Sequence, residues 1–165
     1  MAITHIQTQT TSTGSETSIT FSSIPSLYSD LMFIISASGT DSAISYFNIN
    51  YDSAAYAIRY TDMYDTTALR AGGTTPQFYT INQIVNTFAA GTINVPNYSD
   101  TGKYKTTIGV TAAPNPTTST SGLAMQWSGG TINSNSAVTS VLFQSALGGA
   151  LRIGTRISLY GIKRA

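Results

Sequence analysis

The sequence predicts an all-β protein: a jelly roll or β-sandwich of about eight to ten antiparallel strands, with at most one short helix. Three observations predict it. Thr, Tyr, Ile, Val and Phe, which suit a pleated, half-buried surface, are abundant, with 26 Thr and 10 Tyr in 165 residues. The residues that build exposed helix faces are scarce, with one Glu and three Lys in the chain. Short alternating segments recur between turn signals, at the spacing of sandwiches and barrels and without the crossover helices of a parallel sheet.

The elements follow in chain order. Residues 8–18 are Thr, Ser, Gln and Gly with almost no apolar content and read as an arm or a solvated edge, within a polar N-terminal arm of about residues 1–18. Ile19–Ser22 alternates as a strand, and Ile24-Pro25 forces an extended or turn conformation. Leu31–Ala37 is nearly all apolar and reads as a central strand buried on both faces. Ile44–Tyr51 alternates, as does Tyr56–Tyr60. From Thr61 to Pro76 the pattern fails, and Asp62, Asp65, Gly72-Gly73 and Pro76 predict turns or a long loop. Thr80–Ala90 carries Ile81, Ile84, Val85 and Phe88 at helical spacing and is the one helix candidate, weakened by Asn, Thr and Val. Strands follow at Thr92–Val95, Tyr104–Val110, Leu123–Trp127, closed by Gly129-Gly130, and Val138–Phe143. The last lies within Arg152–Ile162. Ala112–Gly122 is a loop with two prolines. Leu123, Met125 and Trp127 share a face, which predicts Trp127 in the core. No repeat and no composition shift divides residues 1–165, so one domain is expected.

Charge is the outlying quantity. Only 9% of residues are charged, where about 25% is usual, and the formal net charge is +1. Polarity is carried by hydroxyls instead, with 21 Ser beside the 26 Thr. Such a chain exerts little pull on nucleic acid or anionic membrane, and neither is an expected partner. No apolar run approaches the roughly 20 residues of a membrane helix. The first twenty residues lack the basic start and apolar stretch of a secretory leader. With no Cys there are no disulfides or thiolate sites. Sheet edges are normally protected by charge, so a chain this short of it is expected to have its edges covered by other subunits.

Chemistry-bearing groups are few. His5 is the only histidine, and one His without partners makes no catalytic triad. The carboxylates sit mainly beside Ser, Thr, Gly or Tyr, where Asp supports turns. Asp62 and Asp65 fall short of the ligand density of a calcium loop. Phosphate-loop and nucleophile-elbow motifs are missing. The expectation is no enzyme, no catalytic residue, no metal and no cofactor. Two features point to contact surfaces. Tyrosines crowd the middle of the chain, and Tyr56, Tyr60 and Tyr64 are candidate recognition aromatics, since Tyr is enriched at interfaces. Four of the eight bases, Arg152, Arg156, Lys163 and Arg164, lie in the last fourteen residues. With Ile3 and Ile6 of the N-terminal arm they are candidate assembly contacts.

Three segments carry a resemblance: S-I-T-F-S-S-I-P-S-L-Y-S-D-L at Ser18–Leu31, I-N-V-P-N-Y-S-D at Ile93–Asp100 and G-T-R-I-S-L-Y-G-I-K at Gly154–Lys163. Together the chain resembles a diffuse group of tailed-phage virion proteins, frequent in marine and cyanobacterial phages. In that group a similar opening strand and closing strand bracket a jelly-roll or sandwich domain. The likeness spans the full length in organisation and rests on about thirty residues. It implies a capsid decoration (cement) protein, a fibre or a tail appendage, located on a virion assembled in the host cytoplasm, and it brings no catalytic residues. The expected function is therefore a capsid decoration protein that binds and stabilises the head as a homo-oligomer, a trimer, in contact with capsid or other virion proteins. The alternative is a tail or neck fibre domain that binds a glycan receptor, using the tyrosines and Asp62 and Asp65.

Overall fold

The computed structural model describes residues 1–40, 44–50, 56–64, 67–73, 78–82, 87–115, 122–132, 134–145 and 148–164; between 56 and 82 only the backbone is described. Among them are twelve strands and no helix. These are β1 (Ala2–Thr10), β2 (Ser18–Phe21), β3 (Asp30–Ala37), β4 (Ile44–Ile49), β5 (Tyr56–Tyr64), β6 (Thr67–Gly73), β7 (Phe78–Asn82), β8 (Ala89–Pro96), β9 (Lys105–Asn115), β10 (Gly122–Ile132), β11 (Val141–Ser145) and β12 (Arg156–Lys163). Every pairing is antiparallel. An eight-stranded sheet runs β1-β12-β3-β8-β9-β10-β5-β6, and a four-stranded sheet runs β2-β11-β4-β7. The protein is an all-β sandwich. Eight strands form two four-stranded halves, β1-β12-β3-β8 and β2-β11-β4-β7, and the pairs β9-β10 and β5-β6 widen the larger sheet.

Alternation builds the core. On β3, Leu31, Phe33, Ile35 and Ala37 face inward and are buried. Opposite them stand Ile19 and Phe21 of β2, Phe47 and Ile49 of β4, and Val141 and Phe143 of β11. Phe33 sits at the centre, its ring 5.7, 5.5 and 5.3 Å from those of Phe21, Phe47 and Phe143, all steeply inclined. Edge-to-face contacts of this kind add about 0.5–1.5 kcal/mol per pair beyond the area they bury.

Buried hydroxyls fix the chain where strands end. Thr155 Oγ1 donates to the Ser38 carbonyl (3.0 Å) and accepts the Ser38 N–H (3.1 Å). The Thr155 N–H donates to Thr11 Oγ1 (3.1 Å), and the Thr11 hydroxyl donates to the Arg152 carbonyl. The ends of β1 and β3 are thus tied to the approach to β12. At these strand ends, hydroxyls satisfy buried backbone groups without charge.

Several local expectations are corrected. Ala2–Thr10, expected as part of a polar arm, is the edge strand β1, paired with β12 along its length. The expected loop at Thr61–Pro76 contains the end of β5 and all of β6. Cross-strand pairing from Ile58↔Gly73 to Tyr64↔Thr67 overrides the weak strand preference of Gly72 and Gly73. The helix candidate opens inside β7 and closes in β8; its middle, 83–86, lies outside the described residues. Gly129 and Gly130, expected to close a strand, lie within β10. The Ala112–Gly122 loop is strand at both ends, with 116–121 outside the described residues. β3 is central but not buried on both faces. Met32, Ile34 and Ser36 point away from the second sheet, and Ile34 is 44% exposed.

Candidate assembly surface

The three segments that carry the resemblance meet at one corner. Asn97, with φ of +50°, turns the chain after β8 and sends Tyr98 inward. Tyr98 is fully buried. Its hydroxyl donates to the Pro25 carbonyl and accepts the Tyr28 N–H at 3.4 Å. Burial pushes its phenol above the ordinary value. The Tyr28 ring lies flat on Gly161 of β12, where a Cβ would stand 2.3 Å from Tyr28 Cγ. The Ser29 N–H donates to the Ile162 carbonyl (2.8 Å). Asp30 completes the corner: Oδ1 accepts the Asn97 N–H (2.9 Å) and Arg164 Nη2 (2.7 Å), and Oδ2 accepts Arg164 Nε (2.8 Å). These three segments therefore encode a structural joint between β3, β8 and β12.

Beneath this corner Lys105 is 1% exposed. Its ammonium donates to the Lys103 carbonyl (3.0 Å), the Asn135 carbonyl (3.4 Å) and the Asp100 carbonyl. Desolvation pushes its pKa below the ordinary value, with the Asp100 charge opposing. The described carboxylate side chains are likewise structural. Asp100 accepts the Gly102 N–H (2.8 Å), which holds its carboxyl below the usual range. Glu16 accepts the Ser12 and Thr13 N–H groups at 3.0 and 3.2 Å. The Ser12 N–H first, then the Thr13 hydroxyl, lower its pKa to about 2. Asp41, Asp52 and Asp65 lie outside the described residues, as does the Asp62 side chain on β5.

The candidate contacts of the two termini are brought together. Register pairs Ala2 with Lys163, Ile3 with Ile162 and Thr10 with Arg156. The six residues divide, and Arg152 lies off this edge, ahead of β12. Ile3 is 54% exposed, and Arg156 and Lys163 face solvent. Ile6 sits at a register shift between His5 and Gln7 and packs against the core. Arg164 is engaged by Asp30, and Arg152 Nε donates to the Gly39 carbonyl (3.0 Å). His5 is exposed, its ring 5.4 Å from that of Tyr160. Tyr56, Tyr60 and Tyr64 all lie on β5, but their side chains are outside the described residues.

Trp127 was expected in the core. It is 46% exposed on the outer face of the large sheet, and its neighbours Gln126 and Ser128 take the buried side. The same reversal holds on β9, where Thr107 and Thr111 are buried and Ile108 is 61% exposed. The alternation of β9 and β10 was legible in the sequence, but not which side the second sheet would cover. At one end of the sandwich, Thr13, Gly14, Thr40, Phe88, Arg152 and Ile153 line a cleft of about 470 Å3, with Phe88 and Ile153 exposed. No family model, curated protein or solved structure matches the chain.

Proposed function

We propose that this chain is a structural subunit of a tailed-phage virion, a capsid decoration protein that binds and stabilises the head as a homo-oligomer, without catalysis. The observation that carries this reading is the open edge of the large sheet. β1 presents nine residues with no formally charged side chain and no proline, and a single register irregularity is its only blunting device. An edge of this kind is a template for another strand unless a neighbour covers it. Ile3 and Arg156 lie along one face of this edge, exposed, and Lys163 is exposed at its end; they offer an apolar anchor and nearby cations for a capsid surface. The fold reading that accompanies this is a jelly roll with two inserted strand pairs. Its support is the order β1-β12-β3-β8 facing β2-β11-β4-β7, in which the chain changes sheets from β1 to β2, β2 to β3 and β3 to β4.

The test is the copy number of the chain in virus particles purified from a culture that expresses it, by quantitative mass spectrometry. A number matching the capsid subunits supports head decoration, and absence from particles refutes a virion role. Ile3→Lys, which adds charge at the edge without touching the core, is expected to lower occupancy. A second reading, a receptor-binding appendage, is favoured by the cleft at Phe88 and Arg152, where a ring, a guanidinium and the Thr13 and Thr40 hydroxyls suit a sugar. It predicts a low copy number matching a neck or tail ring, and glycan-array binding that Phe88→Ala removes.

A further inference from the structure

The outer face of the large sheet carries an apolar centre. Register aligns Ser158, Ile34, Thr92, Val110 and Trp127 in one row across β12, β3, β8, β9 and β10. The next row holds Tyr160, Met32, Asn94, Ile108 and Gly129. On the other side, Ala90, Ala112 and Met125 follow Arg156 and Ser36. Ile108, Trp127 and Ile34 are 61%, 46% and 44% exposed. On β9 and β10 the polar Thr107, Thr111, Gln126 and Ser128 point inward instead. Strands with one wet face carry their apolar residues on the covered side; among the described residues β9 and β10 put only Ala113 and Ile132 in the core and leave Ile108, Val110, Met125 and Trp127 on the side the second sheet does not cover.

We infer that this face, centred on Ile34, Ile108 and Trp127, is buried against a second copy of this chain. Two arguments select that occupant. The first is charge. From β12 to β10 the only charged residues at outward positions are Arg156 and Asp30, at opposite ends of the face, and Asp30 is neutralised by Arg164. An uncharged face offers nothing for a charged partner to recognise, and it meets its own copy without like-charge repulsion. Depletion of charge at an apolar centre is the composition of homo-oligomer interfaces. The second is area. The five strands β12 to β10, about 4.8 Å apart with about 20 Å of strand length, give a face of about 500 Å2. Two such faces bury about 1,000 Å2 together, the size at which a specific interface begins. Sheets stack face to face about 10 Å apart, so two such faces can interdigitate as the two layers of a sandwich do.

This inference rests on the homo-oligomer part of the proposed function and assigns it a surface. Trp127 is the only tryptophan in the chain, so its fluorescence reports on this face alone. The experiment follows sedimentation mass and Trp emission together over a dilution series of the wild-type chain, then repeats both with Ile108→Lys and Ile34→Lys. The expected result is an oligomer with blue-shifted emission and acrylamide protection, both lost on dilution. The two variants are expected to keep wild-type far-ultraviolet circular dichroism, sediment as monomers and show red-shifted, quenchable Trp127. An oligomer whose Trp127 stays fully quenchable overturns the surface and leaves the homo-oligomer standing. A wild-type monomer at every concentration overturns both.

Discussion

Gly161→Ala is the sharpest test of the corner at which the three segments meet. The added Cβ would lie 2.3, 2.4 and 2.6 Å from Cγ, Cδ2 and Cδ1 of Tyr28. Carbon atoms pack at about 3.5–4.0 Å, so the ring must withdraw by about 1 Å or more. It cannot do so with its main chain, because Tyr28 N and Ser29 N are bonded to Tyr98 and Ile162. Overpacking of this kind costs about 1–3 kcal/mol. The lower unfolded-state entropy of Ala returns about 0.4–1 kcal/mol, so the clash wins, with a net loss of about 1–2 kcal/mol. At about 2–4 °C per kcal/mol for a chain of this size, Tm falls by about 2–8 °C. Chemical denaturation of a double-mutant cycle isolates the cause. In a Tyr28→Ala background no ring is present to strike, and Gly161→Ala becomes neutral or stabilising by about 0.4–1 kcal/mol. Equal costs of Gly161→Ala in both backgrounds would refute the packing argument.

Other predictions follow from neighbouring groups. Tyr98→Phe keeps the buried ring and removes the hydroxyl that holds Pro25 and Tyr28; it is expected to cost about 1–2 kcal/mol in denaturant unfolding, and no loss would show those bonds to be dispensable. Lys105→Met leaves three carbonyls without their ammonium donor and is expected to destabilise by about 1–3 kcal/mol with an unchanged denaturant slope. A gain in stability would mean that desolvation of the charge outweighs its bonds. Glu16 titrates at about 2 in the folded protein against an ordinary 4.5. Its folded pKa is depressed, so its contribution is complete above about pH 4.5 and is lost as the pH falls towards 2. NMR titration of its carboxyl should find that low value, and Glu16→Gln should remove the matching acid-side loss of stability. A carboxyl titrating near 4.5 contradicts the turn geometry at Ser12 and Thr13.

The parts of the fold that were legible in the sequence are those where one physical signal dominates. Leu31–Ala37 is apolar enough to be a strand in any context, and Ile19–Phe21 and Val141–Phe143 alternate within the core. β1 was missed because Ala2–Thr10 buries little, so its strand state comes from pairing with β12 and not from its own pattern. β6 was missed because Gly72-Gly73 reads as a turn, while the ladder with β5 fixes it. The sidedness of β9 and β10 could not be read: an alternating strand says that two faces differ, and only the position of the second sheet says which is covered. That is why Trp127 was expected inside and stands outside. The terminal bases were visible as a cluster, but which were already engaged was not. Arg164 is held by Asp30, 134 positions earlier, a pairing that no local pattern announces.

The claim that this chain works as a subunit of an assembly is tested most directly by the mass of the wild-type protein in sedimentation equilibrium. An open uncharged edge and an apolar outer face predict an integral multiple of 17.4 kDa, dissociating on dilution. A single species of 17.4 kDa at every concentration would contradict it.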